Sequence, residues 1–128
     1  MIRPKHFLIL DDEESIRQSI AAYMEDAGYT IFQARSGERA LEIIRNNHID
    51  EVVVDIRLPG MDGNTFMIEA RKILPDIKFV VHTGSAEYIP PDAVKALGVT
   101  SDNVLFKPIS DLKLLRDILK EQYDQENS

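Results

Sequence analysis

The chain contains no cysteine. It therefore has no disulfide, no thiolate metal site and no thiol nucleophile, which fits a reducing compartment. Positive charge is in deficit: 15 lysines and arginines stand against 22 acidic residues, a net charge of −7. That balance argues against nonspecific attraction to nucleic acid or anionic lipid, while a local crowd of acids would favour a cation. Long apolar runs are missing as well. Met1-Ile2-Arg3-Pro4-Lys5-His6 leads only into Phe7-Leu8-Ile9-Leu10 before Asp11-Asp12, too short for a signal peptide or a membrane span. The expected location is cytoplasmic. Neither a G-x-G-x-x-G nor a Walker-type glycine loop occurs, which disfavours a nucleotide or flavin binder. What remains is 128 residues, 44% hydrophobic and 29% charged, ordinary for one globular domain. The domain is expected over residues 1–123, with 124–128 as a polar C-terminal tail that frays.

The stretch from Glu51 to Gly63, EVVVDIRLPGMDG, organises the rest. Val52-Val53-Val54 is β-branched without a polar break, as in a strand covered on both faces. It ends on Asp55 and is followed by the loop signals Leu58-Pro59-Gly60 and Asp62-Gly63. Four further strands are expected at Phe7 to Leu10, Thr30 to Ala34, Ile77 to Thr83 and Asn103 to Phe106. Between them lie helical periodicities. Ile16, Ile20, Tyr23, Met24 and Ala27 share one face, with Gly28 as the stop. Ser36 caps a helix bearing Ala40, Leu41, Ile43 and Ile44 that finishes near Asn46-Asn47. A third helix runs from about Asn64 to Leu74, with Phe66, Ala70, Ile73 and Leu74 inward. A short one opens at Pro90-Pro91-Asp92 and runs to Leu97, before Gly98. The last runs from Ser110 to about Tyr123 with Leu112, Leu115, Ile118 and Leu119 on one side. Five strands alternating with five helices imply an α/β fold, a parallel sheet wrapped on both faces.

In such a sheet the carboxyl ends of the strands share an edge. Strand one delivers Asp11 and Asp12, strand three Asp55, strand four Thr83 and strand five Lys107. Three carboxylates within about 4 Å would repel by several kcal/mol per pair at an effective dielectric near 20. A hard divalent ion such as magnesium removes that penalty and shares a phosphate oxygen. Lys107 adds a second positive charge, and Thr83 and the Gly84 N–H add neutral donors. The composition suits a phosphoryl group attached to one carboxylate. Asp55 is central and the best nucleophile; Asp11 and Asp12 are better placed as metal ligands. Each residue alone also has a plainer reading: helix cap for Asp11-Asp12, cap or turn former for Asp55, turn for Thr83-Gly84, solvated charge for Lys107. His6, His48 and His82 show no ligand spacing. His82 falls on the strand face opposite Thr83, where packing or solvent contact is expected.

Leu10-Asp11-Asp12-Glu13, Val54-Asp55-Ile56-Arg57-Leu58-Pro59-Gly60-Met61-Asp62-Gly63, Thr83-Gly84 and Lys107-Pro108, in this order, resemble the receiver domain of two-component response regulators (CheY-like). The resemblance covers nearly the whole chain. It implies a flavodoxin-like (βα)5 doubly wound sheet of five parallel strands. It implies that Asp55 is the phosphoacceptor, taking a phosphoryl group from a sensor histidine kinase or a histidine phosphotransfer protein. Asp11, Asp12, Asp55 and the backbone carbonyl of Arg57 would hold Mg2+. Thr83 and Lys107 would bind phosphoryl oxygens, with Thr83 moving on activation, and the loop after Asp55 and the Gly84 N–H would add backbone donors. Arg57 and Ser85 would tune loss of the acyl phosphate, and the Lys107-Pro108 peptide would be cis. The expected partners are the kinase or phosphotransfer donor and a downstream effector the sequence does not name. A homodimer is compatible; direct nucleic-acid or membrane binding is not expected. No effector segment is expected after the last helix, whether the chain stands alone or is the receiver of a longer regulator.

Two features depart from the family pattern. Val104 stands where an aromatic residue commonly sits, and Phe106 shares its strand face. The segment from Gly98 to Lys107 is about two residues longer than usual, with Val99 to Asn103 as the extended loop. The competing class is a phosphatase with an aspartyl nucleophile, which needs a second carboxylate two residues on. Arg57 occupies that place, so the chain is expected to act as a signalling module and not as an enzyme.

Overall fold

The structure, a computed structural model, describes residues 5–109 and 111–127, with side chains through Gln122. Residues 1–4, Ser128 and the expected helix start at Ser110 lie outside them. Five strands alternate with five helices: β1 His6–Leu10, α1 Glu14–Asp26, β2 Thr30–Ala34, α2 Gly37–Asn46, β3 Glu51–Val54, α3 Gly63–Ile73, β4 Lys78–Thr83, α4 Asp92–Lys95, β5 Val104–Phe106 and α5 Leu112–Asn127. All strand pairs are parallel, in the order β2-β1-β3-β4-β5. This is the expected flavodoxin-like doubly wound sheet. The order reverses between β1 and β3, and the crevice at their carboxyl ends is where folds of this class bind ligands.

Strand alternation divides the core into two layers. Leu8, Leu10, Val52, Val54, Phe79 and Val81 face α2, α3 and α4 through Leu41, Ile44, Phe66, Met67 and Val94. Phe7, Ile9, Val53 and Val80 face α1 and α5 through Ile20, Met24, Leu115 and Leu119. Val52, Val53 and Val54 are all essentially inaccessible, as an unbroken β-branched run in a doubly covered sheet should be. No helix among the described residues is long and apolar enough to cross a membrane.

The helix ends follow local chemistry. Ser36 caps α2, its hydroxyl accepting the Arg39 N–H. Gly28, at φ 96°, stops α1 in a backbone region that a side chain disfavours. Ala27, expected on the apolar face, is the C-cap residue and is exposed: it lies past the last turn that packs. Other boundaries shift. α4 closes at Lys95, short of Leu97. Asn103, expected in β5, belongs instead to a 3-10 turn at Ser101–Asn103. There the Asn103 side chain accepts the Thr100 N–H at 2.9 Å, and Thr100 Oγ1 accepts the Asp102 N–H at 3.3 Å. The extended loop is thus an ordered turn. α5 continues to Asn127, past the expected end near Tyr123 and into the stretch expected to fray as a tail.

Candidate functional site

Asp11, Asp55 and Lys107 are each fixed by a backbone bond to the neighbouring strand. The Asp11 N–H donates to the Ala34 carbonyl at 3.1 Å, Asp55 N–H to Leu10 at 2.9 Å, and Lys107 N–H to Thr83 at 2.8 Å. The ladders therefore extend one residue beyond β1, β3 and β5. Alternation sends Asp11, Asp55 and Lys107 to one face, in step with Ile9, Val53 and Leu105. Thr83, in step with Val81, approaches from the other.

These residues meet. Lys107 Nζ lies 2.8 Å from Asp11 Oδ2 and 3.2 Å from Asp55 Oδ2, with Glu13 Oε1 at 3.5 Å. Asp11 Oδ1 accepts the Glu13 N–H at 2.9 Å, and Arg17 holds the Asp11 carbonyl at 2.8 Å. Asp11 and Asp55 are buried at 2% and 5% exposure; Asp12 is exposed. One oxygen from each of Asp11, Asp12 and Asp55 fits within 4.8 Å of the others. At that separation each pair repels by about 3.5 kcal/mol at an effective dielectric near 20. A single ammonium leaves negative charge in surplus.

Burial and neighbouring charge together act on the two central groups of the edge. Burial, reinforced by the Asp11 and Asp12 charges and opposed by Lys107, raises the Asp55 carboxyl to about 6. For Lys107, burial lowers the pKa, but hydrogen bonds and charges of Asp11 and Asp55 outweigh it and hold the ammonium above its usual range. A proton would relieve the crowding at Asp55, and a cation would do so without consuming the carboxylate.

Thr83 is buried, and its hydroxyl accepts the Ser85 N–H at 3.2 Å. Arg57 is exposed in the loop after Asp55. α3 presses against that loop: a Cβ on Gly63 would meet the Asp55 carbonyl oxygen and Ile56 Cα. Only glycine allows this approach, and Asp62 caps the helix there by accepting the Thr65 N–H at 2.8 Å. The Lys107-Pro108 peptide is cis. His82 is 3% exposed; it packs and does not meet solvent. Burial first, then the Lys107 charge, lowers its pKa to about 4, so it stays neutral. Phe106 is 46% exposed and leaves the space beside Val104 to other side chains.

Residues 7–119 match the family model for the response regulator receiver domain. The chain belongs to that family. Among receiver-bearing relatives, the sensor kinase CckA of Brucella abortus (strain 2308) is 36% identical over 127 residues, covering 94% of this chain and 13% of the kinase. The chain spans half or less of the curated relatives it matches. Among solved structures, a CheY-like receiver domain protein from Methanospirillum hungatei JF-1 superposes with a TM-score of 0.80 at 28% identity, covering 98% of both chains. The response regulator TrrA from Thermotoga maritima, solved in complex with Mg2+-BeF, gives 0.80 at 29% identity over 92% of this chain and 98% of its own. As a receiver domain the chain is a phosphoacceptor signalling module of a two-component system.

Sequence reasoning missed two contacts, those of Glu13 and Tyr88. Glu13 joins the Lys107 cluster from 94 positions away; its place after Asp11-Asp12 was the only clue. Ser85, which the resemblance places beside the site, gives its N–H to the Thr83 hydroxyl. Tyr88 donates to Asn64 Oδ1 at 2.6 Å, a contact that nothing local in the sequence announces.

Proposed function

We propose that Asp55 accepts a phosphoryl group from a phosphohistidine of a sensor kinase or histidine phosphotransfer protein. The observation that carries this is the edge itself, where Asp55 shares one ammonium with Asp11 inside a triad of carboxylates. A carboxylate oxygen of Asp55 attacks phosphorus as the imidazole N–P bond breaks. The bonding pair leaves with that imidazole nitrogen; a proton on the other ring nitrogen makes the product neutral imidazole, and without one the leaving nitrogen takes a proton from solvent. The product is an acyl phosphate on Asp55. Lys107 holds one phosphoryl oxygen through its ammonium, and Thr83 donates its hydroxyl to another.

The acidic triad fits Mg2+: three hard oxygen donors converge where charge is in excess, and the ion prefers such donors. Asp11, Asp12, Asp55 and the Arg57 carbonyl would hold it, and TrrA was solved with Mg2+-BeF. When bound, the ion neutralises charge on the incoming phosphoryl oxygens. The acquired group brings about −1.5 to −2 charge and three acceptor oxygens, which bias Thr83 and Lys107 toward a second arrangement.

The message goes to an effector in the same or another chain, with a homodimer compatible. The cysteine-free sequence supports a cytoplasmic setting. Chemistry is confined to the chain's own phosphorylation and its reversal. An exposed Arg57 stands where an aspartyl phosphatase needs its general acid, which disfavours turnover of phosphate esters. Incubation with Mg2+ and phosphoramidate, followed by intact-mass measurement, should add one phosphoryl group to the native chain. Equal labelling of Asp55→Asn would refute the assignment.

A further inference from the structure

Thr83 is the start of a continuous path that leaves the acceptor edge. Its hydroxyl accepts the Ser85 N–H at 3.2 Å. The Ser85 carbonyl accepts the Tyr88 N–H at 3.1 Å, closing a four-residue turn. From that turn the Tyr88 ring packs against the layer holding Phe66, Val81, Val94 and Val104. Its hydroxyl then donates to Asn64 Oδ1 at 2.6 Å, a short bond for an O–H donor. Asn64 follows Gly63, which abuts the Asp55 carbonyl. The loop after β4 and the first turn of α3 are thus strapped together by one aromatic side chain. Burial first, then the Asp62 charge, raises the Tyr88 hydroxyl to about 12, so it remains a donor at neutral pH.

A phosphoryl oxygen can only accept, so Thr83 must turn its O–H toward it. A side chain that swings to donate there withdraws from the Ser85 N–H, and the turn carrying Tyr88 loses its anchor. We infer that Tyr88 is a positioning residue, its bond to Asn64 holding the loop between β4 and α4 at rest until phosphorylation of Asp55 releases it. Ile89, the next residue, is 73% exposed. Release of the ring therefore changes the apolar surface this loop presents, and Val104, a small side chain on β5, supplies no ring of its own for that purpose.

This inference rests on Asp55 as the acceptor, and one experiment separates the two. The full chain is labelled with 3-fluorotyrosine, and Tyr88 is identified as the fluorine resonance missing from Tyr88→Phe. Spectra are compared before and after Mg2+ with beryllofluoride, a phosphoryl mimic, alongside mass measurement after phosphoramidate. The Tyr88 resonance should move on activation while those of Tyr23 and Tyr29, in the opposite layer, stay. Asn64→Ala should shift the resting Tyr88 resonance toward the activated position. Tyr88→Phe keeps the ring and should take the phosphoryl group faster, by up to about tenfold if the whole hydrogen bond biases the resting state. A fixed Tyr88 resonance in a chain that gains the phosphoryl mass overturns the inference and leaves Asp55 standing. Resting spectra unchanged by Asn64→Ala, or native labelling kinetics in Tyr88→Phe, overturn it as well. A native chain that gains no phosphoryl mass overturns both.

Discussion

At the amino end of the sheet, Asp50 accepts the His6 N–H on Oδ2 at 2.9 Å and faces the His48 ring on Oδ1 at 3.0 Å. The His48 carbonyl in turn meets His6 Nδ1 at 2.8 Å. At the carboxyl end, three carboxylates converge on a single ammonium. Both clusters set carboxylates beside basic side chains, and both tie neighbouring strands. The difference lies in what is left over. Each Asp50 oxygen has its own neighbour, so the cluster is a finished structural joint. The Asp11, Asp12 and Asp55 oxygens outnumber their positive partner, so this edge carries an excess of negative charge that a bound cation would relieve. Surplus charge of one sign, not the presence of buried acids, separates the working edge from the structural one.

Neutralising one acid at the carboxyl end should have the largest effect. Asp55→Asn should lose phosphoryl labelling completely, because an amide oxygen is no nucleophile for this transfer; intact mass after phosphoramidate reads it directly. Asp12→Ala, or chelation of Mg2+, should slow labelling tenfold or more, equivalent to about 1.4 kcal/mol of lost stabilisation. Unchanged rates would mean that the triad does not need its cation.

A pH series tests the same surplus without any donor. In the folded chain the Asp55 carboxyl is raised to about 6, against an ordinary value of 3.8. Between those values the folded chain binds more protons than the unfolded one, so this group makes stability fall as pH rises from about 4 to about 6. Above pH 6 its penalty is fully present, about 3 kcal/mol at most. Asp55→Asn should therefore be more stable than the native chain at pH 7 in chelator. The gain should vanish near pH 4, as read by urea midpoints. A variant less stable at both pH values would show that Lys107 needs the Asp55 charge more than the site suffers from it.

Much of this edge was legible from residue order alone. Once Val52-Val53-Val54 is a buried parallel strand, topology brings Asp11, Asp12, Asp55, Thr83 and Lys107 to one side, and the structure brings the three acids and Lys107 together. β2 falls at Thr30–Ala34 as expected, because its β-prone residues are bounded by Gly28 and Ser36. Short elements were harder. A 3-10 turn of three residues has no periodicity to read, and the Thr100 and Asn103 bonds that hold it are visible only once the turn exists. The Tyr88–Asn64 and Glu13–Lys107 contacts span 24 and 94 positions. They depend on where loops close over the sheet, which hydrophobic spacing does not specify. Glu13 entered only as the last residue of the Leu10 to Glu13 stretch, because its role at the site requires the lysine that β5 delivers.

The mildest test is at the amino end. Asp50→Ala removes the acceptor of the His6 N–H and the neighbour of the His48 ring. A half-buried donor without its acceptor costs about 1–2 kcal/mol, which should appear as a lower urea midpoint with an unchanged slope. Phosphoryl labelling should stay within twofold of the native rate while the protein is folded, because the sheet's length separates the two clusters. If labelling fell steeply in folded Asp50→Ala, the amino-end joint would be part of the signalling apparatus. The distinction between completed and unfinished charge clusters would then have to be redrawn around coupling through β1 and β3, which both ends share.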